Sequence, residues 1–245
     1  MAFYDSYGYG KFPPYVPVAQ RRATALKQAR KLEKRGRALE PVSLGGQRIA
    51  SSFWGKAWCK NLESYMDFSN RLPRGRTYLR SGAVVDLRIG AGQIDALVAG
   101  TSLYEVSVRI DKLARRRWGT VIKRCAGHID SVVGLLQGKL SETVLQALVD
   151  RRAGLFPAPK EIDFTCSCPD SALLCKHIAA VLYGVGARLD QKPGLFFTLR
   201  SIAIDDLVTR TALRRASPAK EALAADSLEG IFGIELDRSP RRRGS

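Results

Sequence analysis

The sequence predicts an α+β fold: a four-stranded antiparallel meander packed with helices, a small cysteine-rich module and extended basic termini. Three observations carry this. Between residues 76 and 110 apolar side chains recur at every second position, broken by glycine-containing turns. On either side of that stretch the apolar period is helical. Three of the five cysteines and one of the two histidines fall inside residues 166–177.

Taken in order, residues 1–18 are rich in aromatics and proline (Tyr4, Tyr7, Tyr9, Phe12, Pro13, Pro14) and read as an extended arm. A basic helix is expected from about 19 to 35, stopping at Gly36, with a thin apolar stripe of Ala19, Ala23, Leu26 and Ala29. Ser51 or Ser52 can cap the next helix. On it Trp54, Trp58, Leu62 and Tyr65, spaced 4, 4 and 3, share one face and serve as core anchors, base stacking being the alternative.

The period then shifts to two. Arg76–Arg80 is expected as a first strand. Val85, Leu87 and Ile89 follow, then Ile94, Ala96 and Val98, then Tyr104, Val106, Val108 and Ile110. From Asp111 to Arg152 the helical period returns, with Trp118, Val121, Ile122 and Cys125 on one face, and these helices pack on the sheet. A stiff Phe156-Pro157-Ala158-Pro159 connection leads to the strand-like Ile162–Thr165 and the cysteine cluster. Leu174, Ile178, Val181, Leu182, Val185 and Leu189 mark a further helix. The boundaries divide the chain into a basic aromatic arm and helix (1–50), an α+β body (51–155), the cysteine module with its helices (156–215) and an Arg-rich tail (216–245). That tail carries one apolar island, Ile231–Leu236.

The balance of 40 Lys and Arg against 23 Asp and Glu gives a net charge of +17. A field of that sign draws polyanions: nucleic acid first, anionic membrane or acidic protein second. No apolar run approaches the ~18 residues that span a bilayer. The first residues lack the basic-then-apolar order of a signal peptide, so the expected location is the cytoplasm, with the nucleoid left open. An odd number of cysteines, three of them clustered, points to metal–thiolate chemistry rather than a disulfide framework.

Cys166 and Cys168, then Cys175 and His177, supply three thiolates and one imidazole. That soft set of three sulfurs and one nitrogen suits one closed, tetrahedral, structural Zn²⁺ with no position left open for water. Side chains two apart in a straight strand stand ~7 Å from each other, so the chain must kink after Cys166, and Pro169 and Asp170 are fitting turn residues. The formal charge of −1 would be offset by Lys176 and the positive end of the following helix. Cys59 and Cys125 read as core or surface residues, and Cys125 with His128 makes too small a ligand set for a second site.

The string Cys166-Ser167-Cys168-Pro169-Asp170 with Cys175-Lys176-His177-Ile178-Ala179-Ala180 strongly resembles bacterial SWIM zinc-finger proteins. Trp54-Gly55-Lys56-Ala57-Trp58 and the Arg74–Gly82 segment resemble the same family, so the likeness covers about residues 50–210. It implies a ββα-like zinc module with Cys166, Cys168, Cys175 and His177 as ligands. It also implies DNA binding or protein–protein interaction, and association with Swi/Snf-type helicase ATPases; apart from the resemblance, a transcription complex is the other expected partner.

The expected function is that of a zinc-bearing, nucleic-acid-binding accessory protein, DNA or RNA, with a protein–protein adapter as the alternative. Phosphates would meet Arg21, Arg22, Lys27, Arg30, Lys31, Lys34 and Arg35 on the first helix, then Arg74, Arg76, Arg80, Arg115, Arg116, Arg117, Lys123 and Arg124. Tyr78, between Arg76 and Arg80, is the candidate for stacking on a base. No enzyme is expected. There is no G-x-x-x-x-G-K-[ST] loop, Asp163, Asp205 and Asp206 stand as isolated acids, and no small-molecule substrate is implied.

Overall fold

The computed structural model describes residues 17–65, 71–126, 128–129, 131–170, 172–207 and 209. The aromatic arm before Pro17 and the tail from 210 onward, with its Ile231–Leu236 island, lie outside the described residues. The order of elements is α1 (Val18–Lys34), α2 (Phe53–Tyr65), α3 (Arg71–Arg80), β1 (Val84–Gly90), β2 (Gln93–Ala99), β3 (Leu103–Ile110), α4 (Arg115–Cys125), α5 (Val132–Gln137), α6 (Glu142–Val149), β4 (Ile162–Cys166), α7 (Lys176–Gln191) and α8 (Gly194–Leu199).

The sheet is antiparallel, in the order β1-β2-β3-β4. A two-residue turn, Ala91-Gly92, joins β1 to β2, and Gly92 takes φ +69°, the left-handed conformation that tight hairpins favour. Alternation along β3 turns Tyr104, Val106, Val108 and Ile110 to one face, where α7 packs. On the other face α1 lies against β2 and β3 through buried Ala29 and half-buried Leu26 and Leu32. Ala19 and Ala23, expected on that stripe, are exposed.

Four strands are present among the described residues, but the fourth is not the expected one. Arg76–Arg80 belongs to α3, and the fourth strand is β4, in register with β3 from Ile162 opposite Ile110 to Cys166 opposite Val106. Leu72, Gly75 and Leu79, three and four apart, form the buried face of α3. The helix stops in a Schellman turn: Ala83 N donates to Tyr78 O at 3.1 Å and Gly82 N to Leu79 O at 2.9 Å, with Gly82 at φ +70°.

Asp86 is a buried acid. It sits on the edge strand beside a bulge between Val84 and Asp86, yet it is 1% exposed. The segment before α2 covers it. Glu40 N donates to its carboxylate at 2.9 Å and Arg37 Nη2 at 3.2 Å, while Val42 and Glu40 make backbone hydrogen bonds with Val84 and Leu87. A buried carboxylate needs such partners, and the covering strap supplies them.

Helix α7 is the central element, buried from His177 through Ala187. Its neighbours approach at small residues. A Cβ on Gly75 would come within 2.5 Å of Ala179 Cβ and 2.8 Å of the Ala179 carbonyl carbon, so α3 and α7 touch backbone to backbone. A Cβ on Gly186 would stand 2.6 Å from Cys59 Sγ, and one on Gly55 2.6 Å from Gly186 O. Cys59 is thus a packing residue between α2 and α7, and burial pushes its thiol up to about 12. Cys125 is likewise buried, its thiol raised to about 11 by desolvation.

Trp54 and Trp58 are fully buried core anchors, their indole N–H groups donating to Leu135 O at 3.0 Å and Leu182 O at 2.8 Å. Ser52 caps α2 by accepting from Gly55 N at 3.2 Å. Asp190, near the end of α7, accepts from both serine hydroxyls and both amides, which ties the two helix ends together.

Glu161, at the end of the 3-10 turn Pro159–Glu161, binds Arg117 at 2.9 Å and Arg200 at 3.4 Å. Arg200 has no exposed surface and also donates to Asp111 O at 2.6 Å. Burial raises the Glu161 pKa, but the Ala158 amide and the two arginines outweigh it and hold the carboxyl below its ordinary value. A depressed carboxyl stabilises the fold above its unfolded pKa, and that contribution fades as pH falls through the folded value.

Glu161→Gln should therefore lower stability by about 3 kcal/mol at neutral pH, because it leaves the Arg200 charge buried without a counter-ion; the deficit against the parent should shrink in acid denaturation curves. Gly75→Leu should cost about 1–3 kcal/mol by wedging α3 from α7. Gly119→Ala in α4, where an added Cβ meets nothing within 4 Å, should raise stability by about 0.4–1 kcal/mol in urea unfolding.

Candidate metal centre

The strand alternation that aims Val106 at α7 also aims Cys166, its partner across the β3–β4 ladder, at the same helix. Beyond Cys166 the strand stops. Ser167 N donates to Glu105 O at 3.0 Å while Ser167 Oγ accepts from Glu105 N at 2.9 Å, which fixes the chain at the start of the bend. Asp170 holds the far side, accepting from Ala172 N at 3.2 Å and pairing with Arg71 Nη1 at 2.8 Å. This bend is the required kink, and it carries the Cys168 sulfur back toward that of Cys166.

Cys175 is the N-cap of α7, its Sγ accepting from Ile178 N at 3.5 Å. His177 lies in the first turn, 1% exposed. Its Nδ1 stands 3.8 Å from Cys166 Sγ and 3.9 Å from Cys175 Sγ. The four ligand atoms all lie within 4.8 Å of one another. With Zn–S near ~2.3 Å and Zn–N near ~2.0 Å, tetrahedral edges come to about 3.5–3.8 Å, so the observed separations fit a single ion ligated by three sulfurs and Nδ1.

The electrostatics agree with that assignment. The hydrogen bond shared with Cys166 holds the Cys175 thiol well below the ordinary thiol range, helped by His177 and the Ile178 amide, and the same bond pushes Cys166 upward. Sulfurs this close compete for one negative charge, and a divalent cation among them lets all three ionise. The start of α7 adds its positive macrodipole end, and Lys176 lies beside the centre with Nζ 5.8 Å from the Tyr78 ring.

Around the ligands stands an aromatic shell. Tyr104 stacks on the His177 ring at 4.4 Å between centroids, and Tyr78 meets the ring edge-on at 5.3 Å. A side chain at Gly100 would come within 2.7 Å of Tyr104 and 3.1 Å of His177 Nε2, so glycine there leaves room for the stack. The sequence reading named Asp170 as a turn residue of the bend but missed Tyr104, Gly100 and Arg71 as supports. Only the alternation that puts Tyr104 on the Val106 face hinted at any of those three.

Residues 158–185 match the family model of the SWIM zinc finger. This chain carries a SWIM zinc finger. Its cluster of three cysteines and one histidine is the site of one structural zinc ion. The chain is also 33% identical over 186 residues to the uncharacterized protein Rv2102 of Mycobacterium tuberculosis. That likeness takes in 75% of this chain and 66% of the relative, just short of two thirds of its length. No solved structure matches the chain. No described helix is long and apolar enough to cross a membrane.

The residues read as contacts for nucleic acid divide into two groups. Several pair with acids of the fold. Arg117 binds Glu161 and the carbonyls of Gly154 and Phe156 at 2.7 and 3.0 Å. Arg76 pairs with Glu63 at 3.5 Å and lies over the Tyr183 ring, and Arg124 pairs with Asp150 at 2.9 Å. Tyr78, expected on a strand face, is half-buried on α3 against His177 and serves the zinc centre. Exposed without an ion pair among the described residues are Lys27, Arg30, Lys31 and Lys34 on α1 with Arg35 at its C-cap, Arg74 and Arg80 on α3, and Arg115, Arg116 and Lys123 on α4, and Arg124 is exposed as well. Arg80 donates to Gln47 O at 3.2 Å, and the α1 residues Arg21 and Arg22 lie on the same helix as Lys27.

Cys175→Ser should lose the bound zinc and the protection of the first turns of α7 in hydrogen exchange, since structural zinc is coupled to local folding. Tyr104→Leu should keep the metal but bind it roughly 10–100-fold more weakly in chelator competition, because a group orienting the ligand is gone. A Tyr104→Leu protein with parental zinc affinity would remove the stack from the centre.

Proposed function

We propose that the chain is a zinc-pinned, nucleic-acid-binding accessory protein that works beside a helicase or ATPase partner. The observation that carries the reading is the face of α1. Lys27, Arg30, Lys31, Lys34 and Arg35 are exposed there, and none forms an ion pair among the described residues. A helix docked on the sheet by so thin a stripe spends few side chains on packing and leaves its cations outward. Rows of such cations suit a phosphate backbone, which is met by charge rather than by sequence. Zinc has a structural part in this reading and supplies no reaction; a motor activity would belong to the partner.

A second reading, as a protein–protein adapter, draws on a different observation. Ser167 N bonds to Glu105 O, so alternation along the β3–β4 ladder directs the Phe164 N–H and C=O away from β3. That edge of β4 has no strand beside it among the described residues, and Leu173 next to it is 77% exposed. An open edge with an apolar side chain beside it is the form that strand addition uses.

Fluorescence anisotropy of zinc-loaded protein with single- and double-stranded DNA across a salt series tests the first reading. Replacing Lys27, Arg30, Lys31 and Lys34 by Glu should weaken binding and flatten the slope of log K against log salt by about 3–4. Parental affinity in that variant would take α1 out of the interface. No DNA binding by the parent, with retention of a helicase partner, would favour the adapter.

A further inference from the structure

The outward side of α2 and the turn after α6 enclose a groove of about 510 Å³. Phe53, Ala57, Val149 and Phe156 give it an apolar lining. Lys56 and Lys60, one helical turn apart, and Arg151 add cations, and no carboxylate among the described residues lines it. Both lysines are exposed, and neither ammonium has a carboxylate partner among the described residues. Such a groove selects an occupant that is apolar and acidic together. A phosphate backbone answers the lysines but leaves the apolar lining in water.

We propose that the occupant is this chain's own segment Asp226–Asp237, docked on α2. The charge pattern singles it out. From Glu221 to Asp237 the sequence holds five acids and no lysine or arginine, in a chain whose net charge is +17. Within it Leu228, Ile231, Phe232, Ile234 and Leu236 are interspersed with Asp226, Glu229, Glu235 and Asp237, the complement of an apolar groove with a basic rim. Helix α8 packs under one lining residue of the groove, with Phe196 4.6 Å from Phe156 between ring centroids. The 16 residues between 209 and 226 span up to about 55 Å, enough to reach α2, and a tether of that length gives a local concentration on the order of millimolar.

Docking there places the carboxylates of Asp226, Glu229, Glu235 and Asp237 against a groove whose charged lining residues, Lys56, Lys60 and Arg151, are all cations, so the segment would screen this flank of the protein from polyanions. The inference stands apart from whether the chain binds nucleic acid.

Carbodiimide coupling of the full-length, zinc-loaded protein tests it, since that reagent joins a carboxylate to an amine at zero length. Mixing unlabelled with ¹⁵N-labelled protein separates links within a chain from links between chains by mass spectrometry. The expected links join Asp226, Glu229, Glu235 or Asp237 to Lys56 or Lys60 of the same chain. They should vanish in Phe232→Asp, which keeps every carboxylate but loses the apolar anchor, while zinc content and far-UV circular dichroism stay parental. Links scattered evenly over the exposed lysines, links that survive Phe232→Asp, links only between chains, or links to Lys160 beside β4 would each overturn it. Protection of Lys56 and Lys60 by an oligonucleotide, with no tail link in its absence, would give the groove to nucleic acid and overturn it as well.

Discussion

Helix α7 must begin where β4 ends, and most of the structure serves that constraint. Two zinc ligands arrive at the end of a strand and the bend after it, and two on the first turn of a helix, so neither element alone can close the site. The β3–β4 register sets the height and direction of Cys166; the position of α7 sets Cys175 and His177. Glycines at 55, 75 and 186 let α2 and α3 approach α7 to backbone contact, which fixes the helix along its length. Asp190 at one end and the ligand cluster at the other then tie it in place. The ion staples together elements that the sheet and the small-residue seam have already brought side by side, which limits the chain entropy that metal binding must overcome.

The arginines show how one residue type serves two ends. Arg117 and Arg200 converge on Glu161 and hold α4, the 3-10 turn and the end of α8 together from inside. Arg37 and Arg88 neutralise Asp86 under the strap along β1. Arg71 anchors the bend of the zinc centre through Asp170. What remains outward on α1 and on the exposed sides of α3 and α4 is the charge that acts on partners. Net charge alone does not separate these groups, because a guanidinium suits a buried carboxylate and a phosphate equally well.

Where the sequence was misread, the reason is physical. Arg71–Arg80 has a proline, a glycine and four arginines in ten residues, a composition that argues weakly for a helix. It folds as one because Pro73 falls in the first turn, where its missing N–H costs nothing, and because Gly75 can press on Ala179. The stop at Ser81-Gly82 was legible as a helix terminus but was overshadowed by the strands that follow. With the segment taken as a strand, Tyr78 looked free to stack on a base; as a helix it turns the same ring onto His177. The three hairpin strands, the helix of Trp54 and Trp58 and the long helix after the cysteines were all plain from their periods, each repeated over enough residues to outweigh local exceptions.

By itself the sequence determined the ligand set, since three thiols and an imidazole within 12 residues have few other uses, and it determined the strand and helix periods that surround them. It determined the sign of the field as well. Only the tertiary structure decided which cations keep that field outward, that β4 rather than Arg76–Arg80 completes the sheet, and that Tyr104 and Tyr78 clasp the metal-binding histidine. The division follows from range. Ligand type and periodicity are properties of neighbours along the chain, whereas a salt-bridge partner, a strand neighbour or a ring against a ring depends on residues tens of positions away, which the packing of α7 brings together.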